Sequence, residues 1–231
     1  MKKTAIIFTV LILLLAFVSC GADENGAPYG MKLASNPEIV EYTLYVPEDW
    51  VVTSSTGMTM AQVSYVDTTN LIVTHHSHQS LEYADHKDML IAYLYGDDEV
   101  KLSTDTTDSG DGNGTKTYRE YDESLLTKEG GYLNRLYESF DMVEDEEGNE
   151  KSSFVMVETP SFTTLNKGDK AVVAISFSYT ATLDGAQIQQ KMILSYDNAY
   201  YYNFTFTTPP ALYETHSTTF STILENFSFN D

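Results

Sequence analysis

Between residues 171 and 207 apolar positions alternate with smaller or polar ones at a period of two. Ala171, Val173, Ile175, Phe177 and Tyr179 form the first such row. Asp184-Gly185 then supplies a two-residue hairpin turn, because these residue types tolerate the positive φ that a tight turn between twisted strands requires. Ala186, Ile188, Met192 and Leu194 continue the pattern, with Gln190 interrupting it. After Asp197-Asn198, Tyr200, Tyr202, Phe204 and Phe206 alternate with Tyr201, Asn203, Thr205 and Thr207. Strands joined by tight turns predict an antiparallel meander, and the apolar face of each strand must be covered.

Two helical segments supply that cover. Ser80 can cap a segment that places Leu81, Ala84, Ile91 and Leu94 on one side and ends before Gly96. A second segment begins after Pro209-Pro210 and sets Leu212, Phe220, Ile223, Leu224 and Phe227 along a stripe. Its threonines lower intrinsic helicity, so packing must hold it in place. Earlier in the chain Val40, Tyr42, Leu44 and Val46 alternate into Pro47, and Leu71, Val73 and His75 alternate after the Thr68-Thr69-Asn70 turn. The order of strands, helix, strands, helix predicts an α+β fold with a largely antiparallel sheet. Residues 122–160 read as an inserted hairpin, with Leu136, Phe140 and Met142 on one alternating run and Val155 and Val157 on the other.

The N-terminus changes the picture of where this domain works. Lys2 and Lys3 precede an apolar run from Ala5 to Val18, followed by Ser19 and Cys20, the sole cysteine. The run is short of the roughly 20 apolar residues that span a bilayer and suits a signal-peptide core. A small residue before a cysteine at its end predicts a lipoprotein signal, with residues 1–19 removed and a diacylglyceryl group on the Cys20 thiol. Phe17 stands where Leu is preferred three positions before the cysteine. With Cys20 lipidated no disulfide forms, so stability rests on packing alone. Residues 20–38, rich in Gly, Ala, Asp and Asn, read as a flexible tether, and residues 39–231 as one domain.

Charge narrows the partners. The chain carries 13 basic and 34 acidic residues, and losing Lys2 and Lys3 takes its formal charge from −21 to −23. A field of that sign repels phosphate backbones, so nucleic acid is not an expected partner. The membrane is reached through lipid on Cys20, and an envelope or extracellular protein is the expected partner.

The strand Tyr42-Thr-Leu-Tyr-Val-Pro47-Glu-Asp-Trp50 resembles the opening of the PsbP-like superfamily, which includes PsbP and DcrB-type bacterial lipoproteins. The closing Tyr202-Asn-Phe204 strand, Pro209-Pro210 and Phe220-x-x-Ile223-Leu224-x-x-Phe227 resemble its end. The resemblance implies an α/β/α sandwich around a central antiparallel sheet, with residues 122–160 added. It implies no common catalytic set, since members mostly act by binding other macromolecules. Trp50 reads as a core anchor sealing a sheet edge.

Candidate chemistry is sparse. Four of the five histidines, His75, His76, His78 and His86, fall within twelve positions. His76 and His78 would share one strand face, a spacing that two imidazoles can use around Zn²⁺ or Cu²⁺, with His86 near them and Glu82 and Asp85 as possible carboxylate ligands. Histidines at a strand end are also ordinary solvated or capping groups, and no cofactor is expected. The loop Asp105 to Thr115 fails as a calcium site, because counting from Asp108 the third and fifth positions are Gly110 and Gly112 and the twelfth is Arg119. Glu144, Asp145, Glu146 and Glu147 form an acidic hairpin tip that could dock a basic surface. No Gly-x-Ser-x-Gly elbow or His-Glu-x-x-His pair is present. The expected protein is a non-enzymatic, lipid-anchored binding or assembly-assisting protein facing the extracytoplasmic side. The alternative is metal binding or delivery through residues 75–86.

Cys20→Ala should yield a form that takes up no labelled fatty acid in growing cells. A variant that still incorporates lipid and is cleaved normally would overturn the lipoprotein reading.

Overall fold

A computed structural model describes residues 26–36, 38–64, 66–77, 83, 85–102, 104–106, 115–168, 170–197 and 200–230. The signal segment, Cys20, His78 and the expected helix-capping Ser80 lie outside these residues. In chain order the strands are β1 Met31–Leu33, β2 Tyr42–Thr43, β3 Tyr45–Pro47, β4 Val51–Ser55, β5 Met58–Gln62 and β6 Asn70–Ser77. Helices α1 His86–Tyr95 and α2 Asp97–Leu102 follow, then β7 Thr104–Thr106 and β8 Thr115–Thr117. After a 3₁₀ turn at Glu123–Leu126 come α3 Tyr132–Glu138, β9 Met142–Glu144 and β10 Glu150–Ser152. The long strands β11 Val155–Lys167, β12 Lys170–Leu183, β13 Ala186–Asp197 and β14 Tyr200–Thr208 lead into a 3₁₀ turn Pro210–Leu212, helix α4 Tyr213–Glu225 and β15 Ser228–Phe229.

Seven strands form one sheet in the order β11-β12-β13-β14-β6-β5-β4, antiparallel throughout. The expected meander is present and gains β11 at its edge. Asp184 and Gly185 turn β12 into β13 with φ of 50° and 77°, the positive values a two-residue hairpin requires.

Both faces of the sheet are apolar, and each has its own cover. On one face Leu71, Val73, Ala174, Ile193, Phe204 and Phe206 pack with Phe220 and Ile223 of α4, and with Tyr42, Leu44, Val46 and Trp50. Trp50 is buried, as expected of a core anchor. The Phe206 and Phe220 rings stack at 4.7 Å and 6°. On the other face Ile175, Phe177, Tyr179, Met192 and Leu194 meet Met89, Leu90, Ile91 and Leu94 of α1, with Leu125, Leu126, Leu133, Phe140 and Phe154. The alternation in β12 sorts its side chains: Val172 and Ala174 face one cluster, Phe177 and Tyr179 the other.

Three expectations need correction. The tether does not extend through residue 38, since Met31–Leu33 pairs with β3 and Ala27, Met31 and Ala34 are buried. Three small or flexible apolar side chains suffice to dock a short strand that the surrounding Gly and Asn disguise. Helix α1 begins at His86, where the Asp85 side chain accepts from the Lys87 amide at 2.7 Å, and ends as expected before Gly96. Residues 122–160 are not an added hairpin. Leu136 lies in α3, since Leu133, Leu136, Tyr137 and Phe140 recur at helical spacing, and Val155 opens an edge strand of the main sheet.

A short hairpin does carry the acidic tip, with Glu144 paired to Glu150. Asp145 shapes its turn: its Oδ1 accepts from the amides of Glu147 at 3.0 Å and Asn149 at 2.9 Å. Glu144, Glu146 and Glu147 remain exposed.

Phe220→Ala should cost about 3–5 kcal/mol of stability, read from the urea midpoint, because it removes a buried, stacked ring that joins α4 to the sheet. A loss below about 1 kcal/mol would mean that α4 is not anchored there. A second expectation concerns pH. The hydrogen bond from the Asn149 amide, with that from Glu147, holds the Asp145 carboxyl below the usual carboxylate range. A depressed folded value stabilises the hairpin at and above the ordinary Asp pKa and is lost as pH falls through the depressed midpoint. An NMR titration of Asp145 should therefore show a midpoint below the ordinary Asp value, and an elevated midpoint would contradict this turn.

Candidate functional site

A cleft of about 610 Å³ opens where the end of β6, the α1–α2 junction and the turn at residues 128–131 converge. Each wall has a local cause. Gly96 ends α1 with φ 99°, and Asp97, Asp98 and Glu99 start α2, where negative charge suits a helix N-terminus. The opposite wall is pressed close by Gly131. A Cβ built at that residue would lie 2.5 Å from the Leu94 carbonyl oxygen, so only glycine lets this turn pack on the end of α1.

A buried charge fixes the two walls to one another. The Glu99 side chain is fully buried, and its Oε1 accepts from Lys128 and, at 3.1 Å, from Arg119. A buried carboxylate is tolerated only when cations and hydrogen bonds compensate its lost hydration. Glu99 thereby binds α2 to the strand-side Arg119 and to the cleft-lining Lys128.

The floor is aromatic. Tyr93 stacks on Tyr201 at 4.4 Å and on Tyr132 at 5.1 Å, and the His76 ring lies 5.5 Å from Tyr93 and 5.8 Å from Tyr201. Tyr201 donates to the Met89 carbonyl, and Asn203 donates to the Tyr93 hydroxyl at 3.1 Å. Burial raises the Tyr93 phenol above its ordinary pKa, against the opposing effects of Asn203 and Arg135, so it stays protonated at neutral pH. Arg135 donates to the Gly130 carbonyl at 3.2 Å and sits 5.8 Å from the Tyr132 ring. The cleft thus presents a rigid aromatic base between exposed acids, Asp97, Asp98 and Glu129, and the cations Lys128 and Arg135. Such a surface can receive a polar chain segment of mixed charge.

Of the candidate site residues that are described, only His76 lines this cleft. His75 points to the opposite face of the sheet, against Tyr200 and Tyr202, as the two-residue period demands. Burial there lowers its pKa, opposed by Glu41. His86 lies against Tyr196. His78 and Glu82 lie outside the described residues. Among the described residues no three His, Cys, Asp or Glu side chains converge as metal ligands. The acidic tip is a separate feature, on the β9–β10 hairpin.

Tyr93, Asp97, Glu129 and Arg135 were not singled out in the sequence. Their only local signals are Gly96 followed by three acids and the Gly130-Gly131 pair flanked by Lys128 and Arg135. Neither predicts a meeting of residues 76–77, 92–98, 128–135 and 201, which the topology alone produces.

No family model matches the chain, and no curated protein is similar to it in sequence. Among solved structures the chain is similar to the cyanobacterial PsbP protein (CyanoP) of Synechocystis, at 11% identity and a TM-score of 0.47, over 90% of this chain and 98% of that one. It is also similar to LpqN of Mycobacterium tuberculosis, which is involved in cell envelope biogenesis, at 11% identity and a TM-score of 0.41, over 82% of this chain and 83% of that one. A PsbP protein thus stands among its structural neighbours, at an identity that assigns no role to any residue.

Proposed function

We propose that this chain is a lipid-anchored, extracytoplasmic protein of PsbP-like α/β/α sandwich form that binds a protein partner and does not transform it. The observation carrying this reading is the cleft itself, whose groups hold one another in place around an aromatic floor. The described lining includes one serine, Ser77, and no cysteine. Ser77 and His76 are successive strand residues whose side chains leave on opposite faces, so they do not form a nucleophile and base. The lipoprotein signal supports the location, and no helix among the described residues is long and apolar enough to cross a membrane. Metal delivery gains no support, because His76 and His86 each rest against tyrosine rings.

Two surfaces offer themselves to a protein partner, the cleft and the acidic tip. The cleft is the principal contact in this reading, because its charged walls are fixed before any partner arrives, which lowers the ordering cost of binding. A test uses the anchored protein in membranes, with partners captured by crosslinking and compared between variants. Asp97→Lys with Glu129→Lys, both exposed, should reduce recovery of the wild-type partner at least tenfold with the melting temperature unchanged. Loss only on Glu144→Gln, Glu146→Gln and Glu147→Gln would move the contact to the hairpin tip. Unchanged recovery in both variants would overturn the binding reading.

A further inference from the structure

A smaller cleft of about 290 Å³ lies between the start of α1, the segment 116–120 that begins in β8, and the bulged part of β11. Ile91, Tyr95, Ile175 and Phe162 make its walls apolar, while Lys87, Lys116 and Arg119 ring it with Glu120 as the only acid in the lining. That local balance is the reverse of the chain's 13 basic against 34 acidic residues. Acids just outside the lining, Asp88, Asp122 and Glu99, pair with two of these cations, which leaves Lys87 as the one to be explained.

Two of these cations are fixed by neighbours. Lys116 donates to both carboxylate oxygens of Asp88 at 2.9 Å, and the Tyr118 hydroxyl donates to the same carboxylate at 2.7 Å. An ammonium has three donors, so one of those on Lys116 remains. Arg119 is held by Asp122, Glu99 and Ser124. Lys87 differs. Its ammonium sits 5.1 Å from the Phe162 ring centroid and has no carboxylate partner among the described residues. It is a cation placed over an aromatic wall, with none of its three donors taken by a described residue.

We infer that this cleft binds a small carboxylic acid with an apolar body. The carboxylate is received by Lys87 and the remaining donor of Lys116, and the body lies along Phe162, Ile91 and Ile175. The volume corresponds to roughly ten water-sized groups, which suits a short aromatic or aliphatic acid. Charge-assisted hydrogen bonds to fixed cations give the orientation, and apolar contact gives the rest of the affinity. This site is separate from the larger cleft and does not rest on the partner reading above.

The test titrates 3-phenylpropanoate against the full chain in lipid nanodiscs, with empty nanodiscs as the blank, followed by ligand-observed NMR. Its neutral amide, 3-phenylpropanamide, serves as the matched control. One saturable site is expected, with the amide at least tenfold weaker and affinity for the acid falling as salt is raised. Lys87→Glu should weaken the acid at least tenfold and leave the amide within about threefold, whereas Lys87→Arg should keep both near wild type. Phe162→Ala should weaken acid and amide together. Lys87 is exposed, so an unchanged melting temperature in its variants separates binding from folding. Equal affinity for acid and amide, insensitivity to Lys87→Glu, or no saturable binding would each overturn the assignment.

Discussion

A sheet with large apolar side chains on both faces is stable in water only when both faces are covered, and every other element here answers that demand. Strand β12 makes the requirement explicit, with Val172 and Ala174 on one side and Phe177 and Tyr179 on the other. Burying each such aromatic side chain stabilises by about 1.5–3 kcal/mol, so leaving either face open would forfeit much of a domain's net stability. The first face is closed by the two ends of the domain together. Ser228 and Phe229 pair with Thr43 and Tyr42, and α4 lies over Phe204 and Phe206. The two ends of the described domain thereby form one lid, under which Ala27, Met31 and Ala34 are buried.

The second cover is built differently, and its construction creates the clefts. Helices α1, α2 and α3 have 10, 6 and 7 residues, too few to be stable alone. They are tied down by polar contacts with specific geometry: Glu99 to Lys128 and Arg119, Asp88 to Lys116 and Tyr118, and Asn134 to the Leu126 carbonyl. Short helices cannot tile a broad sheet without gaps. Both clefts open beside α1, where it meets the 128–131 turn on one side and the edge strand β11 on the other. Three of the cations that line them, Lys128, Lys116 and Arg119, are also ones that hold the cover in place.

Elements whose signal is local and periodic were legible in the sequence. The meander, the α4 stripe through Phe220 and Ile223, the Gly96 helix end and the Trp50 anchor all follow from spacing within a few residues. The segment 133–140 was misread because apolar residues at 136, 140 and 142 fit a strand alternation as well as a helix, and only adding Leu133 and Tyr137 decides for the helix. Strand β1 was missed because a three-residue strand carries too few positions to show a period. The opposite directions of His75 and His76 follow from strand geometry alone. That His76 meets Tyr93 and Tyr201 does not, since those residues come from another helix and another strand. Asp145 was grouped with its neighbours as an exposed acid, although an Asp at that point of a turn accepts backbone amides and is not equivalent to the glutamates beside it.

The large negative charge acts on two length scales. A polyanion such as nucleic acid must approach over an extended area and meets the summed repulsion of the surface. A small ligand samples only the charges within about a Debye length, roughly 8 Å at physiological ionic strength. At that range the larger cleft presents Asp97, Asp98 and Glu129 against Lys128 and Arg135, while in the smaller one Asp88, Asp122 and Glu99 offset Lys116 and Arg119 and leave Lys87 facing Glu120. Lys128 is already committed to Glu99, which leaves the larger cleft acidic in its outward balance and suited to a partner with basic groups. In the smaller cleft the ammonium donors with no partner among the described residues belong to Lys87, over Phe162, and one to Lys116, so the donors it offers a ligand are cationic. One acidic domain can therefore offer two neighbouring recesses of opposite preference, set by which cations the buried carboxylates have already claimed.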